Sequence, residues 1–483
     1  MIRAVELERD TRGILLVALG AAVGIGLLAA ATTPLAVTAG LLALSAFALI
    51  CWRPNVGLVA FVGIVASLPF GVIPVQIAGA QLTLIDAVMI ATFSAVLARA
   101  LFGGVSINLS WPGPALLAFT AIACVAFIAG GAAEPIPPEL FRRFGKLLAS
   151  VLFFFIASAL LTTTSRMITL ARALIVGGAV QGALGTLLML LSPATQLTLL
   201  SALVVVGYPS TEILRYVPGP NNTYTTQLRA IGTSVDPNVF GGTLMLALVL
   251  AAVQLAASRP VLPRFVLFLL LVPIATGVVL SLSRASWLGL GCGLLLAGCL
   301  RYRRIIVVAL VCGVAVLVSP VGQDLIARFI GGFSAADPAT AFRLGEYFNA
   351  VVLIQRYPWL GIGFGLSPDI DVTAGVSSVY LLVAEQTGLL GLLAYLLVVL
   401  GIWWRGARNL AAVDDRQLQG LRTAYLAAIT GALVTGTLDH YFANIAFPHA
   451  VALFWLYAAG LFAVSSTICQ VSRSRSLPWG ESR

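Results

Sequence analysis

Residues 239–257 read VFGGTLMLALVLAAVQLAA, a run without one charged side chain. About 20 predominantly apolar residues are what a helix needs to cross the hydrocarbon of a bilayer. This stretch meets that length, and the chain repeats the pattern. Further runs lie near 13–32, 34–52, 56–76, 83–101, 113–131, 146–162, 168–192, 263–281, 284–300, 304–320, 377–404, 421–438 and 446–466. With one or two early runs read as re-entrant, the expectation is an all-α polytopic integral membrane protein of about 12–14 transmembrane helices. Gly and Ala are frequent within the runs, which lets helices approach closely in lipid.

Composition agrees. Of 483 residues, 60% are hydrophobic and 10% charged, whereas an average soluble domain carries about 25% charged residues. The net charge is +10, and the 28 basic residues include a single lysine, Lys146. The arginines come in short clusters between apolar runs, which suits topology signals and not the contiguous basic face of a nucleic-acid binder. Six cysteines, Cys51, Cys124, Cys292, Cys299, Cys312 and Cys469, lie in or beside apolar runs without metal-ligand spacing and read as packing residues. Ala29-Ala30-Ala31 imitates a cleavage site, but the next apolar run follows at once, so an uncleaved first span is expected.

Orientation follows from the arginines. Arg301, Arg303 and Arg304, then Arg405, Arg408, Arg416 and Arg422, and finally Arg473 and Arg475 flank late spans. Placing them in the cytoplasm satisfies the positive-inside rule. The same alternation brings Arg53, Arg99, Arg166, Arg259 and Arg264 to that side, with both termini cytoplasmic and an even number of spans. The expected order is N-terminal spans over 1–192, an outer segment over 193–238, spans over 239–320, a long outer (periplasmic) loop over 321–376, spans over 377–466 and a tail over 467–483. Residues 132–145, with Glu134, Glu139, Arg142 and Arg143, form one more outer segment.

Arginines on the outer side run against the topology bias and call for another reason. Arg284 stands at the junction of two apolar runs, and Arg229 stands just before another. Each can simply snorkel to the headgroups, with Trp287 as an interfacial anchor; Arg142 and Arg143 share that reading. The functional alternative is a diphosphate site, because a guanidinium fork offers paired donors to phosphate oxygens and stays charged at any accessible pH. Several around one diphosphate would stabilise charge developing on a leaving group. No acidic cluster or His/Cys spacing for a metal is visible, so a metal-free mechanism without cofactors fits. Asp236-Pro237-Asn238 reads as a helix cap, and that helix N-terminus is a possible anion site.

Four pieces of the chain carry a resemblance. Ser283-Arg284-Ala285-Ser286-Trp287-Leu288-Gly289 resembles an SRxxWLG signature. Arg343 with Tyr347 and Ala350, followed by Pro358, Gly361, Gly363 and Gly365, resembles an outer-loop Arg with a downstream P-x-x-G-x-G-x-G. Tyr380-Leu381 and Glu385-Gln386-Thr387-Gly388-Leu389-Leu390-Gly391 resemble a YL…ExGLLG element, and Arg229, Gly232 and Asp236-Pro237-Asn238 resemble the stretch before an earlier span. In this order they are similar to the bacterial O-antigen ligase and polymerase family, over roughly residues 229–391.

The resemblance implies action on undecaprenyl-diphosphate-linked glycans at the outer face of the cytoplasmic (inner) membrane, by metal-independent, inverting glycosyl transfer. Ligases pass the glycan to lipid A core, and polymerases join repeat units, for which a chain-length regulator is a compatible partner. Carried over by position, Arg229 and Arg284 hold the diphosphate and Arg343 assists; Arg142, Arg143, Arg215, Asp236, Asn238, Trp287, Tyr380 and Glu385 are candidate substrate-binding residues. One departure matters. Ligases carry His-Asn just before the YL element, the His engaging the acceptor, whereas this chain reads Ser377-Ser378. A Ser hydroxyl is no useful base without a partner, and a helix-capping role suits it better. Acceptor activation then falls to His440 beside Asp439, or to Glu346, while a hydrated boundary His is the plainer reading. Asp86 and Glu385 are ionisable groups inside apolar spans; Glu385 suggests function, and Asp86 an inter-helix partner. Polymerisation is the leading expectation, with ligation as the alternative. A flippase for lipid-linked glycans is the second alternative, disfavoured because related halves are not visible.

Overall fold

A computed structural model describes residues 34–77, 80–130, 136–218, 224–318, 338–365, 367, 372–408 and 415–476. The expected first span at 13–32, Glu134, and residues 319–337 of the long loop lie outside the described residues. Among the described residues the elements are α1 (Pro34–Trp52), α2 (Asn55–Ser67), a hairpin of β1 (Val72–Ile77) and β2 (Ala80–Thr83), α3 (Leu84–Leu101), α4 (Gly113–Gly130), α5 (Pro138–Leu160), α6 (Thr164–Met189) and α7 (Pro193–Ser201). A second hairpin, β3 (Tyr216–Pro218) and β4 (Tyr224–Leu228), precedes α8 (Pro237–Ala256), α9 (Arg264–Leu280), α10 (Arg284–Leu300), α11 (Arg303–Val318) and α12 (Pro338–Arg356). The last three are α13 (Val379–Ala407), α14 (Arg416–Thr435) and α15 (Pro448–Ser476). Both hairpins are antiparallel pairs.

Among the described residues, α3, α4, α5, α6, α8, α13 and α15 are long and apolar enough to span a bilayer; α2, α9 and α10 are shorter apolar helices. The protein is an all-α polytopic membrane protein. Every run expected from residue 34 onward coincides with a helix, with two corrections. The run at 56–76 is not one span, because α2 stops at Ser67 and the chain turns into β1. Nor is 132–145 all connecting segment. Pro138 starts α5, its fixed φ suiting the first helical turn, so Arg142, Arg143 and Lys146 are helical.

The bundle is built around α8, which packs on α6, α9, α10 and α14. Some 83% of α8 is buried, against 33% of α3. Small residues permit this: Gly289 of α10 and Gly431 of α14 face each other so closely that a Cβ on either would meet the other's carbonyl. Asp86 joins a capping box with Thr83 and pairs across helices with Lys146 at 2.7 Å.

The topological arginines gather at one end of the bundle, where they hold the last carbonyls of helices. Arg99 donates to Cys51 and Trp52 carbonyls at the end of α1, Arg166 to Leu160 at the end of α5, and Arg264 to Ala257 at the end of α8. Arg172 reaches the Val261 carbonyl at 2.6 Å, and buried Arg422 binds the carbonyls of Gly406 and Arg408 at the end of α13. Cations favour that end of a helix dipole, so each guanidinium satisfies carbonyls that lipid cannot.

Candidate functional site

At the opposite end, the approach to α8 is fixed locally. Asp236 accepts from the backbone N–H of Asn238 and Val239 at 2.8 and 3.0 Å, and Pro237 occupies the first turn. The cap read from sequence is present. It also fills the helix N-terminus with a carboxylate, so those N–H groups are not turned to an external anion. Arg229 donates through Nε to the Ser281 carbonyl at 2.9 Å and through Nη2 to Asn238 Oδ1 at 2.7 Å, joining the α8 approach to the α9–α10 junction. Behind it, Gln181 donates to Ser234 Oγ at 2.7 Å and accepts from Thr243 at 3.1 Å. Val235 (φ 65°) and Leu282 (φ 52°) both adopt left-handed backbone. That costs of order 1–3 kcal/mol for such residues and is held only where surroundings impose it. One strained residue precedes Asp236, and the other stands two before Arg284.

The α12 helix and the segment between α14 and α15 complete the cluster. Arg343 Nη2 lies 3.7 Å from Asp439 Oδ2, and His440 Nδ1 lies 3.3 Å from Asp439 Oδ1. Glu346 accepts the Ser377 backbone N–H at 3.0 Å. Tyr347 donates to the carbonyls of Ser377 and Thr437 at 3.2 and 3.1 Å, pinning α12 over the starts and ends of spans. Asp439 and Tyr441 are buried, while Arg229, Asp236, Arg284, Arg343, Glu346 and His440 are half-buried. The result is a cluster of half-buried ionisable groups gathered around buried Asp439 and Tyr441.

These groups sense one another. Burial pulls the Arg229 guanidinium down to about 10, the charges of Asp236 and Asp439 oppose this, and those of Arg343 and Arg284 reinforce it. It therefore remains a cation at neutral pH. Burial, then the charge of Asp439, raises Asp236 above the ordinary carboxylate value. For His440, burial acts downward, but the hydrogen bond and charge of Asp439, followed by Glu346 and Asp236, leave it raised.

Below this cluster, α13 is broken. Gly388 has φ 68° and ψ −176°, a combination essentially restricted to glycine. The freed backbone groups are taken up by the segment after α12: Ile362 and Gly363 donate to the carbonyls of Glu385 and Gln386 at 2.8 and 3.1 Å, and Leu389 donates to the Pro358 carbonyl at 2.8 Å. Gly361 and Gly363 also hold positive φ. A Cβ on Gly361 would strike Glu385 backbone, and one on Gly388 would strike Trp359 backbone. This explains the P-x-x-G-x-G and ExxG patterns as two halves of one lock. Glu385 is 2% exposed. One of its oxygens accepts the Gly375 N–H at 2.7 Å, and Oε2 has no partner among the described residues.

The structure thus brings together Arg229, Asp236, Asn238, Arg284, Arg343, Glu346 and His440, with Glu385 beneath. Other sequence candidates are otherwise engaged. Arg142 and Arg143 both bind Glu139, at 2.5 and 2.9 Å, on the exposed first turns of α5. Arg215 pairs with Glu212 at 2.5 Å and reaches the Val235 carbonyl. Trp287 donates its indole N–H to the Val278 carbonyl at 2.9 Å, and Tyr380 its hydroxyl to Leu433 at 2.7 Å; both are packing roles. Ser378 occupies the cap position of α13 without a side-chain cap bond, and its hydroxyl donates to the Gly436 carbonyl at 3.3 Å. Neither serine therefore caps as expected. Tyr441 escaped the sequence reading, since an aromatic at a span end reads as an interfacial anchor.

Residues 265–396 match the family model described as O-antigen ligase. The matched region contains Arg284, Arg343, Glu346 and Glu385, while Arg229 and Asp236 precede it and His440 follows it. No curated protein matches the chain. A solved structure, described as structural coordination of polymerization and crosslinking by a peptidoglycan synthase complex, aligns at TM-score 0.40 and 16% identity, covering 77% of this chain and 100% of its own.

Proposed function

We propose that the protein transfers or polymerises polyprenyl-diphosphate-linked oligosaccharide at the outer face of the cytoplasmic membrane, without a metal. The observation carrying this reading is the convergence of Arg229, Arg284 and Arg343 with the Asp439–His440 pair, on segments flanking and including the region that matches the O-antigen ligase model, at the end away from the topological arginines. A guanidinium has five N–H donors, and Arg229 uses two on Ser281 and Asn238. Its remaining donors and Arg284 receive the diphosphate. The acceptor hydroxyl oxygen attacks the anomeric carbon on the face opposite the diphosphate. The bond from that carbon to the phosphate oxygen breaks, and its electron pair stays on the departing diphosphate. The acceptor proton passes to neutral His440, oriented by Asp439, which Arg343 in turn holds. Histidine is the side chain most often used for such a proton transfer.

Polymerisation is favoured over ligation because Ser377, standing where ligases carry His, meets Glu346 and Tyr347 through its backbone N–H and carbonyl. In proteoliposomes given lipid-linked repeat units, Arg284→Ala is expected to lower product formation by about 10²–10³, the usual effect of deleting one donor to a developing oxyanion. Near-normal product would refute the diphosphate assignment. Turnover with a lipid A core acceptor in place of a second repeat unit would assign the ligase reaction.

A further inference from the structure

The α12 helix is built inside out. Its charged and phenolic residues Arg343, Glu346 and Tyr347 are half-buried against the bundle. From residue 340 to the end of its fourth turn, its exposed residues are Ala341, Phe342, Leu344, Gly345, Phe348 and Val351. Phe342 and Phe348 are 70% and 71% exposed. In water such a face would be a standing aggregation surface. In the boundary of a bilayer it is the normal outer face of an amphipathic helix.

The same apolar surface continues downward. Trp359 is 68% exposed, and Leu389 and Leu390 are 47% and 43% exposed on α13. The Trp359 backbone lies against Gly388, about 13 Å along α13 from Val379 at 1.5 Å per residue. The tether of Tyr347 to Ser377 and Thr437 sets the upper level, where α13 begins and α14 has ended. Arg356 closes α12 with a stem long enough to carry its guanidinium toward headgroups.

We infer that α12 and Trp359 are seated in the lipid of the membrane boundary, their apolar face against acyl chains, as a fixed wall between the cluster of Arg343, Glu346 and His440 and the bilayer. α12 is then not a lid in water but part of the boundary that the bundle presents to lipid. This placement rests on exposure and continuity with the lipid-facing surface of α13, and it stands whichever reaction the cluster performs.

The test uses the full chain in liposomes of phosphatidylethanolamine and phosphatidylglycerol. Nitroxide labels are attached in turn at Phe348→Cys and Phe342→Cys, in a background lacking other reactive cysteines, with Leu393→Cys on α13 as the lipid-facing reference. Power saturation should give both labels higher collision rates with oxygen than with a water-soluble nickel chelate, as at Leu393. Greater access to nickel would place the helix in water. Protection from both relaxants would mean a protein surface covers it. Either result overturns the inference.

Discussion

Replacing Gly388 with alanine tests the broken α13 helix directly. The native φ of 68° and ψ of −176° would cost an alanine of order 1–3 kcal/mol. The added Cβ would also strike the Trp359 carbonyl. Relief requires moving the 358–363 segment, which surrenders three backbone hydrogen bonds: Ile362 and Gly363 to Glu385 and Gln386, and Leu389 to Pro358. Each is worth about 1 kcal/mol net, so the total loss is roughly 4–6 kcal/mol if the lock fails outright. Straightening α13 instead would regain some helical bonds while turning Glu385 away from Gly375. Thermal unfolding of purified protein by intrinsic tryptophan fluorescence should therefore shift down by many degrees, with a parallel loss of transfer activity. Gly291→Ala is the control: it sits in α10 with open space around it, where alanine should be neutral or stabilise by about 1 kcal/mol. Equal melting and activity for Gly388→Ala and wild type would refute the lock.

Ser377→Ala should keep activity within about twofold of wild type, since its backbone makes the contacts to Glu346 and Tyr347 and small surface changes rarely exceed 0.5 kcal/mol; a large loss in steady-state rate would return a catalytic role to the hydroxyl. Asp439→Asn removes the carboxylate charge that helps raise His440 and weakens the hydrogen bond to it, leaving burial opposed by the charges of Glu346 and Asp236, so the acid limb of the rate profile should move to lower pH. An unmoved limb would exclude His440 as the titrating base. The sign for stability is the reverse: folded His440 holds its proton more tightly than the ordinary value of 6.5. Its contribution is present below that value and lost as pH rises through the folded-state value. Ser210→Cys, exposed in the segment between α7 and β3, should react with an impermeant thiol reagent added outside intact cells, and labelling only after lysis would invert the assigned orientation.

Local signals were legible and long-range ones were not. The run at 284–300 and the Asp236 cap depend on neighbours in sequence, and both stand where the residues pointed. The sequence could not separate α8, enclosed by protein, from α3, largely lipid-facing, because both environments select the same apolar residues. Gly388 stood in the sequence as a motif glycine within an apolar span, with nothing to show its conformation. Its left-handed backbone is imposed by Pro358–Gly363, and only the fold brings those segments together. Ser377 and Ser378 looked like caps by position, yet Glu346 and Gly436 claim them from other elements. Arg229 and Arg284 stood out because arginine at an expected outer boundary has no topological reason, while Tyr441 had no such contrast with its surroundings.

The grip of Arg422 on the end of α13 bears on how this membrane topology can be mapped. A reporter enzyme fused after Arg408 would be made from a chain that lacks the guanidinium binding the carbonyls of Gly406 and Arg408. Those carbonyls would then be left to lipid headgroups and water, and the truncated helix would be free to slide or invert. Sandwich insertions that retain the downstream chain preserve this clasp, so they and truncated fusions should disagree most at α13.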